Sequence, residues 1–332
     1  MRKLYFAVPG LGGKFACGGL WAELKTLKLA QAVCEAEVVT YRQREAGTLF
    51  LDDLLQKPYL EDCIFVISWG FDINFLAKKL AAYPVIYHAH STGYSLRLPP
   101  QVPIITVSRN SLGYWGQKSP NSLIYYLPNH ISEEFYNQHQ ERDIDVLIQA
   151  RKSSTYLLQQ LIPALKSQCN LVLVDSYVDD LAALFNRAKV YLYDSAEYWA
   201  QQGVSEGFGL QPLEAMACGC QVFSSVNGGL SDFLDPGFNC YKIAAVALEF
   251  DVQRILQTVQ SPPQYQLAEA ILADYRREAI IQRLQCILQE INLFFDHQRP
   301  GLTPIPGLDP GRLWHLRLQQ CWHKVQRKLR HA

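Results

Sequence analysis

Short apolar runs alternate with longer amphipathic stretches through residues 1–130, and this alternation restricts the possible folds more than any other feature of the chain. The clearest amphipathic stretch, Gly19–Val33, places Leu20, Leu24 and Leu27 at helical spacing. Strands buried on both faces form continuous apolar runs, and strands that alternate with helices assemble into a parallel sheet. The predicted strands are Leu4–Val8, Glu37–Thr40, Cys63–Ser68, Pro84–His88 and Ile104–Val107.

The same pattern starts again after a polar segment, Glu133–Arg142. The strands predicted in this second series are Asp143–Gln149, Asn170–Asp175, Lys189–Tyr193 and Gln221–Ser224, with a helix from Ser153 after the first of them. The predicted fold class is therefore α/β, with two Rossmann-like domains at residues 1–134 and 135–267. A ligand is expected in the central cleft that the two domains face.

Three segments follow the second domain. Residues 268–296 predict a long helix, and residues 297–311 are rich in proline and glycine, which is typical of a linker. Residues 312–332 hold six Lys or Arg and no acid, with apolar residues at helical spacing. This pattern predicts a basic amphipathic tail of the kind that lies on an anionic membrane surface. A helix that docks on the protein's own surface or on a second subunit is the alternative.

Charge and cysteine content limit the cellular setting. The chain has 31 basic and 31 acidic residues, so no overall field is available to recruit nucleic acid. Its nine cysteines are scattered and form no CxxC pair, so we expect free thiols in a reducing compartment. No run is long enough to be a signal-peptide core or a membrane span. We expect a cytoplasmic protein, with peripheral attachment to the cytoplasmic membrane face through the tail.

A glycine-rich turn leads into a predicted helix in the second domain, with a carboxylate on either side of the junction. Gly207 and Gly209 allow the backbone to approach a ligand closely. The helix predicted to begin by Pro212 would direct its free N–H groups and its positive dipole end at that ligand. This arrangement suits a diphosphate and leaves Glu206 and Glu214 for hydroxyl groups. An ordinary junction with a solvated Glu206 is the alternative.

The segment Ser205–Gly219 resembles the E-x7-E signature of the retaining family-4 glycosyltransferases (group 1), which have the two-domain GT-B fold. Three further segments resemble this family in the same order, namely Val107–Trp115, Leu127–Tyr136 (in which His130 replaces the usual glycine) and Val222–Leu234. The resemblance covers residues 1 to about 295. It implies transfer of a hexose-type sugar from a nucleotide-sugar, and a C-terminal helix that crosses back onto the first domain.

The resemblance also implies roles for residues of the second domain. Glu206 would lie against the transferred sugar, and Glu214 would hold the ribose diol of the nucleotide. The backbone around Gly207 and the amides of Phe208, Gly209 and Leu210 would bind the donor by contacting sugar hydroxyls and phosphate.

In the first domain, Gly18 and Gly19 resemble the family's GG loop, whose backbone abuts the donor phosphate and sugar. His90 falls where the family has a functional histidine that faces the donor sugar, which makes it a candidate catalytic residue with Glu206. His88 lies on the same side of the strand and ranks below His90, because a histidine in a buried strand usually packs in the core.

Two cations, Arg151 and Lys152, follow the first strand of the second domain directly and precede a helix start. They suit a diphosphate clamp, with a solvated basic pair as the alternative. In the family the two cations are separated and a glycine follows, whereas here they are adjacent and Ser153 follows.

We expect no cofactor and no metal ion. The acidic pair Asp179–Asp180 precedes a helical pattern, where a capping role is favoured over metal binding. Two other functions stay open: an epimerase or inverting transferase on the same fold, and a non-catalytic subunit that binds nucleotide-sugars. The sequence also leaves open the nucleotide, the sugar and the acceptor, which is either a saccharide or a lipid-linked group.

Overall fold

The computed structural model describes residues 1–57, 60, 62–94, 96, 98–265, 269–298 and 305–330, with side chains as far as Arg327. Within these residues, the first domain contains seven strands: β1 (Lys3–Val8), β2 (Ala36–Thr40), β3 (Leu49–Phe50), β4 (Cys63–Ile67), β5 (Val85–Ala89), β6 (Ile104–Thr106) and β7 (Ile124–Tyr126). They form one parallel sheet in the order β3-β2-β1-β4-β5-β6-β7.

The register of this sheet aligns the carboxyl ends of its central strands. Val8 at the end of β1 pairs with Thr40 of β2, and Ala89 at the end of β5 pairs with Thr106 of β6. The loops that leave these strands therefore emerge along one edge of the sheet. In open α/β sheets this is the edge at which ligands bind.

Helices cover both faces of the first sheet, as the continuous apolar strands require. They are α1 (Gly18–Ala30), α2 (Leu51–Leu54), α3 (Ile73–Lys79) and α4 (Arg109–Lys118), with short 3-10 turns at Gly13–Phe15 and Gly70–Asp72. Phe65, Tyr87 and Trp115 are fully buried on one face. Ser108 and Ser111 form a reciprocal capping box that fixes the start of α4.

The second domain contains five strands: β8 (Ile144–Gln149), β9 (Leu171–Val174), β10 (Ala188–Tyr193), β11 (Gln221–Ser224) and β12 (Tyr241–Lys242). They form a parallel sheet in the order β12-β11-β10-β8-β9. The flanking helices are a π-helical turn at Leu157–Leu161 that continues into α5 (Ile162–Leu165), then α6 (Leu181–Arg187), α7 (Ala196–Gln201), α8 (Leu210–Ala217) and α9 (Leu248–Gln260), with a 3-10 turn at Gly228–Asp232.

The chain returns to the first domain through a broken helix. The predicted single helix is wrong in this respect, because α10 (Glu269–Ala273) and α11 (Arg277–His297) are separate, and Ala268 lies outside the described residues. At the break, Arg276 donates hydrogen bonds of 2.9 Å to the carbonyls of Ser132 and Phe135. The N–H of Ile131 also donates to the carbonyl of Tyr275 at 2.9 Å. These contacts offset the helical hydrogen bonds that the break removes.

Beyond the break, α11 packs beside α1 on the same face of the first sheet. Leu284, Ile287 and Ile291 of α11 are buried there against Phe6 and Ile86. The prediction of two Rossmann-like α/β domains with a C-terminal helix that crosses back is therefore confirmed.

The tail forms one helix, α12 (Pro310–Arg330). Its apolar side chains are exposed, with 65% of Trp314 and 63% of Trp322 accessible to solvent. Of the helices that the structure describes, none combines the length and the hydrophobicity needed to cross a lipid bilayer. All nine cysteines are free thiols.

Candidate functional site

The loops that leave the carboxyl ends of the two sheets contact each other directly. Ser91, just after β5, donates from Oγ to the carbonyl of Ser205 at 2.6 Å. Thr92 donates from Oγ1 to Oγ of the same serine at 2.8 Å. A Cβ atom added at Gly207 would lie 1.6 Å from the carbonyl oxygen of His90. Only glycine therefore permits this approach, which brings His90 and the turn before α8 together.

The turn before α8 is also held from within the second domain. The N–H of Gly229 donates to the carbonyl of Glu206 at 2.8 Å. A Cβ at Gly228, whose φ is +57°, would lie 2.3 Å from that same carbonyl oxygen. Gly209 has φ of +85° and forms the cap residue of α8. Glycine at these positions thus fixes the position of Glu206 by backbone packing.

Glu206 is buried, and three donors converge on its Oε2 atom. They are the hydroxyl of Tyr193 at 2.6 Å, the indole N–H of Trp199 at 2.7 Å and the hydroxyl of Ser195 at 3.1 Å. Burial and the neighbouring carboxylate raise the pKa of Tyr193 well above its usual value, so its hydroxyl stays protonated and donates. Oε1 of Glu206 has no hydrogen-bond partner among the described residues.

Glu214 is buried on α8, one turn beyond the first residue of that helix, and its hydrogen bonding differs from that of Glu206. Its carboxyl group makes no hydrogen bond to any residue that the structure describes. Burial raises its pKa to about 7, while the charge of Lys25 opposes the rise and that of Glu134 adds to it. A buried carboxyl without partners is costly, and strongly perturbed groups of this kind cluster at functional sites.

The other predicted residues of this turn divide between core and backbone roles. The Phe208 side chain is buried and packs against Phe233 and Tyr275, so only its backbone is available to a ligand. Leu210 is the first residue of α8, which begins two residues before Pro212. The free N–H groups of the first turn of α8 lie next to Glu206, as anion binding at a helix start requires.

Arg151 and Lys152 lie beyond the carboxyl end of β8, and neither forms an ion pair with a described residue. Lys152 has φ of +64°, in the left-handed region that residues with a side chain seldom adopt. Its Nζ lies 4.6 Å from the ring centroid of Trp199, whose N–H binds Glu206. The structure therefore brings Lys152 to the neighbourhood of Glu206, whereas Arg151 is exposed.

Gly18 and Gly19 are the first two residues of α1, and both are exposed. Apart from the adjacent residues and the backbone of α1 itself, no atom of a described residue lies within 4 Å of a Cβ added at Gly18, and at Gly19 only Sγ of Cys17 does, at 3.9 Å. Neither glycine is required by the protein's own packing. Their smallness thus leaves open space at the start of α1.

A buried cluster of three side chains lies beneath this helix start. Oε2 of Glu23 on α1 is 2.6 Å from Nδ1 of His88 and 2.8 Å from Nε2 of His90. Burial by itself raises the pKa of Glu23, but the charges and hydrogen bonds of His88 and His90 outweigh it and hold the pKa at about 2. Burial and repulsion from His88 lower the pKa of His90, and Glu23 opposes this.

The donor atoms of Glu23, His88 and His90 lie within 4.8 Å of one another, close enough to raise the question of a shared metal ion. Ligands about 2.0–2.1 Å from a tetrahedral ion are about 3.3 Å apart. The observed contacts of 2.6 and 2.8 Å are shorter and fit direct hydrogen bonds.

Asp180 of the acidic pair caps α6 by accepting from the N–H of Ala183 at 2.8 Å, as predicted.

Sequence reasoning missed the residues that hold the two candidate catalytic groups. Tyr193, Ser195 and Trp199 hold Glu206, and Glu23 holds His90. A signal existed for the first of these, because Tyr193 ends a predicted strand at the ligand-binding edge. For Glu23 the signal was its position on the apolar stripe of α1, three residues after Leu20 and directly before Leu24, where a solvated acid is not expected.

Comparisons with known proteins place these features in context. Residues 138–264, which hold the second sheet, match the family model described as glycosyl transferases group 1. A comparison of the sequence with curated proteins finds no match.

Solved structures resemble the whole two-domain arrangement. HepE from Anabaena in complex with UDP-glucose is 15% identical, with a TM-score of 0.62 over 87% of this chain and 100% of that one. Sucrose-phosphate synthase from Thermosynechococcus elongatus is 14% identical, with a TM-score of 0.61 over 88% and 100%. A glycosyltransferase from Rickettsia africae is 11% identical, with a TM-score of 0.58 over 90% and 99%. The chain therefore shares the two-domain GT-B fold of these proteins, and its second domain is similar in sequence to group 1 glycosyltransferases.

Proposed function

We propose that this protein is a glycosyltransferase that moves a hexose-type sugar from a nucleoside diphosphate to an acceptor, with retention of anomeric configuration. The observation that carries the proposal is Glu214. It is a buried carboxyl with no hydrogen-bond partner among the described residues, and its pKa is raised to about 7. A ribose diol supplies two hydroxyl donors to one carboxylate, which would satisfy this group and return it to the ionised form.

The diphosphate fits between the two helix starts. The first turn of α8 offers free N–H groups next to Glu206, and the exposed Gly18 and Gly19 leave the start of α1 open. Lys152 and Arg151 add positive charge without an acidic partner of their own among the described residues. Helix starts and cations together neutralise a diphosphate without a metal ion.

The sugar is placed by the remaining candidate residues. His90 comes from the first domain and Glu206 from the second, and the contact between Gly207 and the carbonyl of His90 makes them neighbours across the cleft. Retention is proposed from the resemblance of residues 205–219 to retaining enzymes. Because HepE was solved with UDP-glucose, UDP-sugars are the first donors to test.

The decisive experiment measures thermal stability with a panel of UDP-, GDP- and ADP-sugars. A ligand at 100 times its Kd stabilises the folded state by about 2.7 kcal/mol, which raises the melting temperature measurably. We expect one nucleotide class to stabilise the native protein and to have a much smaller effect on Glu214→Ala. No stabilisation by any nucleotide-sugar contradicts the proposal. Transfer is then followed by NMR, where the anomeric configuration of the product tests retention.

The same assay separates the rival functions. An epimerase converts the sugar without an acceptor, an inverting enzyme gives the opposite anomer, and a binding subunit is stabilised without turnover. Only acceptor-dependent transfer with retention agrees with the proposal.

We further propose that α12 attaches the protein to an anionic membrane surface, which favours a lipid-linked acceptor. The apolar side chains of Trp314, Leu318 and Trp322 are exposed at helical spacing and join no core cluster of the described residues. This exposure weighs against docking on the protein's own surface. Residues 312–332 hold six basic residues, each worth about 1 kcal/mol near an anionic leaflet.

Co-sedimentation with vesicles tests the attachment. We expect the full chain to bind vesicles that contain phosphatidylserine, less so at high salt, and not to bind neutral phosphatidylcholine vesicles. The double variant Trp314→Ala, Trp322→Ala is expected to lose most of this binding. Phe238→Ala, which removes an aromatic side chain that is 71% exposed on the second domain, is the matched control. Unchanged binding of the double variant, or no binding by the native chain, contradicts the proposal.

A further inference from the structure

The buried cluster beneath α1 contains an ionised carboxylate that packing alone does not explain. Glu23 is 1% exposed, its Oε1 atom is buried without a hydrogen-bond partner, and its Oε2 atom contacts both histidine rings. Burying a carboxylate away from water costs free energy unless hydrogen bonds or opposite charges compensate for the lost hydration. The contacts with Oε2 determine which ring nitrogens of His88 and His90 carry protons.

An ionised carboxylate can only accept hydrogen bonds. Because the pKa of Glu23 is held at about 2, the group is ionised at any physiological pH. Both ring nitrogens that contact it must then carry protons, which are Nδ1–H of His88 and Nε2–H of His90. The contact with Glu23 thus places the proton of His90 on Nε2, which is a single tautomer when that ring is neutral.

The selected tautomer leaves Nδ1 of His90 with a free lone pair. This atom has no hydrogen-bond partner among the described residues and is not among the buried unpartnered atoms, and the His90 side chain is 17% exposed. The pKa of His90 is lowered by burial and by His88, so the ring is neutral near pH 7. The carbonyl of His90 touches Gly207, the residue after Glu206.

We propose that Glu23 is a positioning residue that fixes His90 as the Nε2–H tautomer, so that Nδ1 accepts a hydrogen bond from a hydroxyl of the transferred sugar. This inference rests on the proposed function. It adds a requirement on the donor, because a sugar that lacks this hydroxyl leaves the lone pair unpaired and binds less well.

The pH dependence follows from the groups around His90. They are His88 on the same strand, Glu23 from α1, and, from the second domain, Glu206 beside the glycine that packs on its carbonyl. Protonation of His90 turns Nδ1 into a donor, so activity falls on the acid side. Loss of the Glu23 charge lowers the pKa of His90 further, so Glu23→Gln moves the acid limb of the activity profile to lower pH.

Nitrogen NMR of ¹⁵N-histidine-labelled full-length protein tests the tautomer without any substrate. We expect Nδ1 of His90 unprotonated and Nε2 protonated at pH 7.5 in the native protein, and a mixture of tautomers in Glu23→Ala. Thr26→Val is the matched control, because Thr26 is buried on the same helix and, among the described residues, its hydroxyl bonds only to the carbonyl of Ala22. An Nδ1–H tautomer in the native protein, or an unchanged tautomer in Glu23→Ala, overturns the proposal.

A double-mutant cycle gives the kinetic test. Glu23→Ala is expected to lower kcat/KM about tenfold in the native background and to have no further effect in His90→Ala. An equal loss of kcat/KM in both backgrounds shows a merely structural role for Glu23. Glu23→Gln keeps the shape of the side chain and replaces Glu23→Ala if that variant fails to fold. An acid limb that does not move in Glu23→Gln also shows a merely structural role. The failures are distinguishable, because absence of nucleotide-sugar binding overturns the proposed function and leaves the tautomer measurement unaffected.

Discussion

The turn that carries Glu206 and the helix that carries Glu214 are adjacent in sequence, yet the two buried carboxyl groups differ in their hydrogen bonding. Three donors converge on Glu206, and the glycine contacts around it fix its backbone. Glu214 has no donor among the described residues, and burial raises its pKa to about 7. The donors on Oε2 hold Glu206 in place without a ligand, whereas we expect the partners of Glu214 to be supplied by a bound ligand.

The comparison separates the two roles that the resemblance assigns to these residues. Glu206 resembles a preorganised group that acts on the reacting sugar, because its supporting hydrogen bonds are present without ligand. Glu214 resembles a binding group whose partners arrive with the nucleotide. Substitution of each residue should therefore affect a different kinetic parameter.

Glu206→Gln should lower the rate of transfer by at least about a hundredfold, because the charge next to the sugar is lost while the shape is kept. Donor affinity should change much less. Steady-state kinetics and calorimetry measure the two effects, with Glu249→Gln, an exposed acid on α9, as the control for charge loss. Full activity in Glu206→Gln eliminates the proposed site.

Glu214→Ala should weaken donor binding by about 1.5–3 kcal/mol, which is about ten- to a hundredfold in Kd. The transfer rate at saturating donor should fall far less than in Glu206→Gln. Calorimetric titration with the preferred nucleotide-sugar and with the free nucleotide gives both affinities. If both variants lose the same kinetic parameter to the same extent, the two carboxyl groups do not differ in role.

The raised pKa of Glu214 predicts a pH dependence of stability in the ligand-free protein. Its folded pKa of about 7 exceeds the ordinary value of 4.5, so the folded state binds more protons between these values. The stabilisation from protonated Glu214 is therefore complete below pH 4.5 and is lost as the pH rises through 7. Between pH 5.5 and 7 the native protein should lose about 1–2 kcal/mol of unfolding free energy that Glu214→Gln does not lose.

Denaturant unfolding of the two proteins at pH 5.5 and 7 measures this difference. Other titrating groups act in both proteins and cancel in the comparison. Equal pH dependence in the two would show that the pKa of Glu214 is not raised in the folded protein.

The smallest expected effect is that of a chelator. The proposed site neutralises the diphosphate with helix starts and with Lys152 and Arg151, so transfer should be unchanged in excess EDTA. Loss of activity that Mn²⁺ or Mg²⁺ restores would place a metal ion at the diphosphate and remove the charge argument for both cations.

The fold was largely predictable because its central strands are long apolar runs. The strands missed, β3, β7 and β12, have two or three residues each, too few to show a pattern. The break before α11 was also missed, since no proline or glycine marks it. It is set by tertiary contacts of Arg276 with the chain near Ser132, which no local signal encodes.

The site divides in the same way. The segment from Glu206 to Glu214 is contiguous and was readable as a motif. The partners of His90 and Glu206 were not, because Glu23 and His90 are 67 residues apart and meet only when α1 packs on β5. The left-handed backbone of Lys152 was equally unreadable, since its neighbours in sequence contain no glycine.

The break before α11 has a mechanical consequence. Ile131 and Ser132 lie where the chain passes to the second domain, Tyr275 and Arg276 lie where it passes back, and hydrogen bonds fasten the two passages together. Any rotation of one domain against the other would therefore have a single pivot at this point, because the two connections move together. Across the cleft, Ser91 and Thr92 hold Ser205 by two hydrogen bonds, each worth about 0.5–1.5 kcal/mol. The N–H of Arg109 also donates to Asp232 across the cleft at 2.8 Å. We propose that these local contacts open when a nucleotide-sugar enters, by rotation of one half of the molecule against the other.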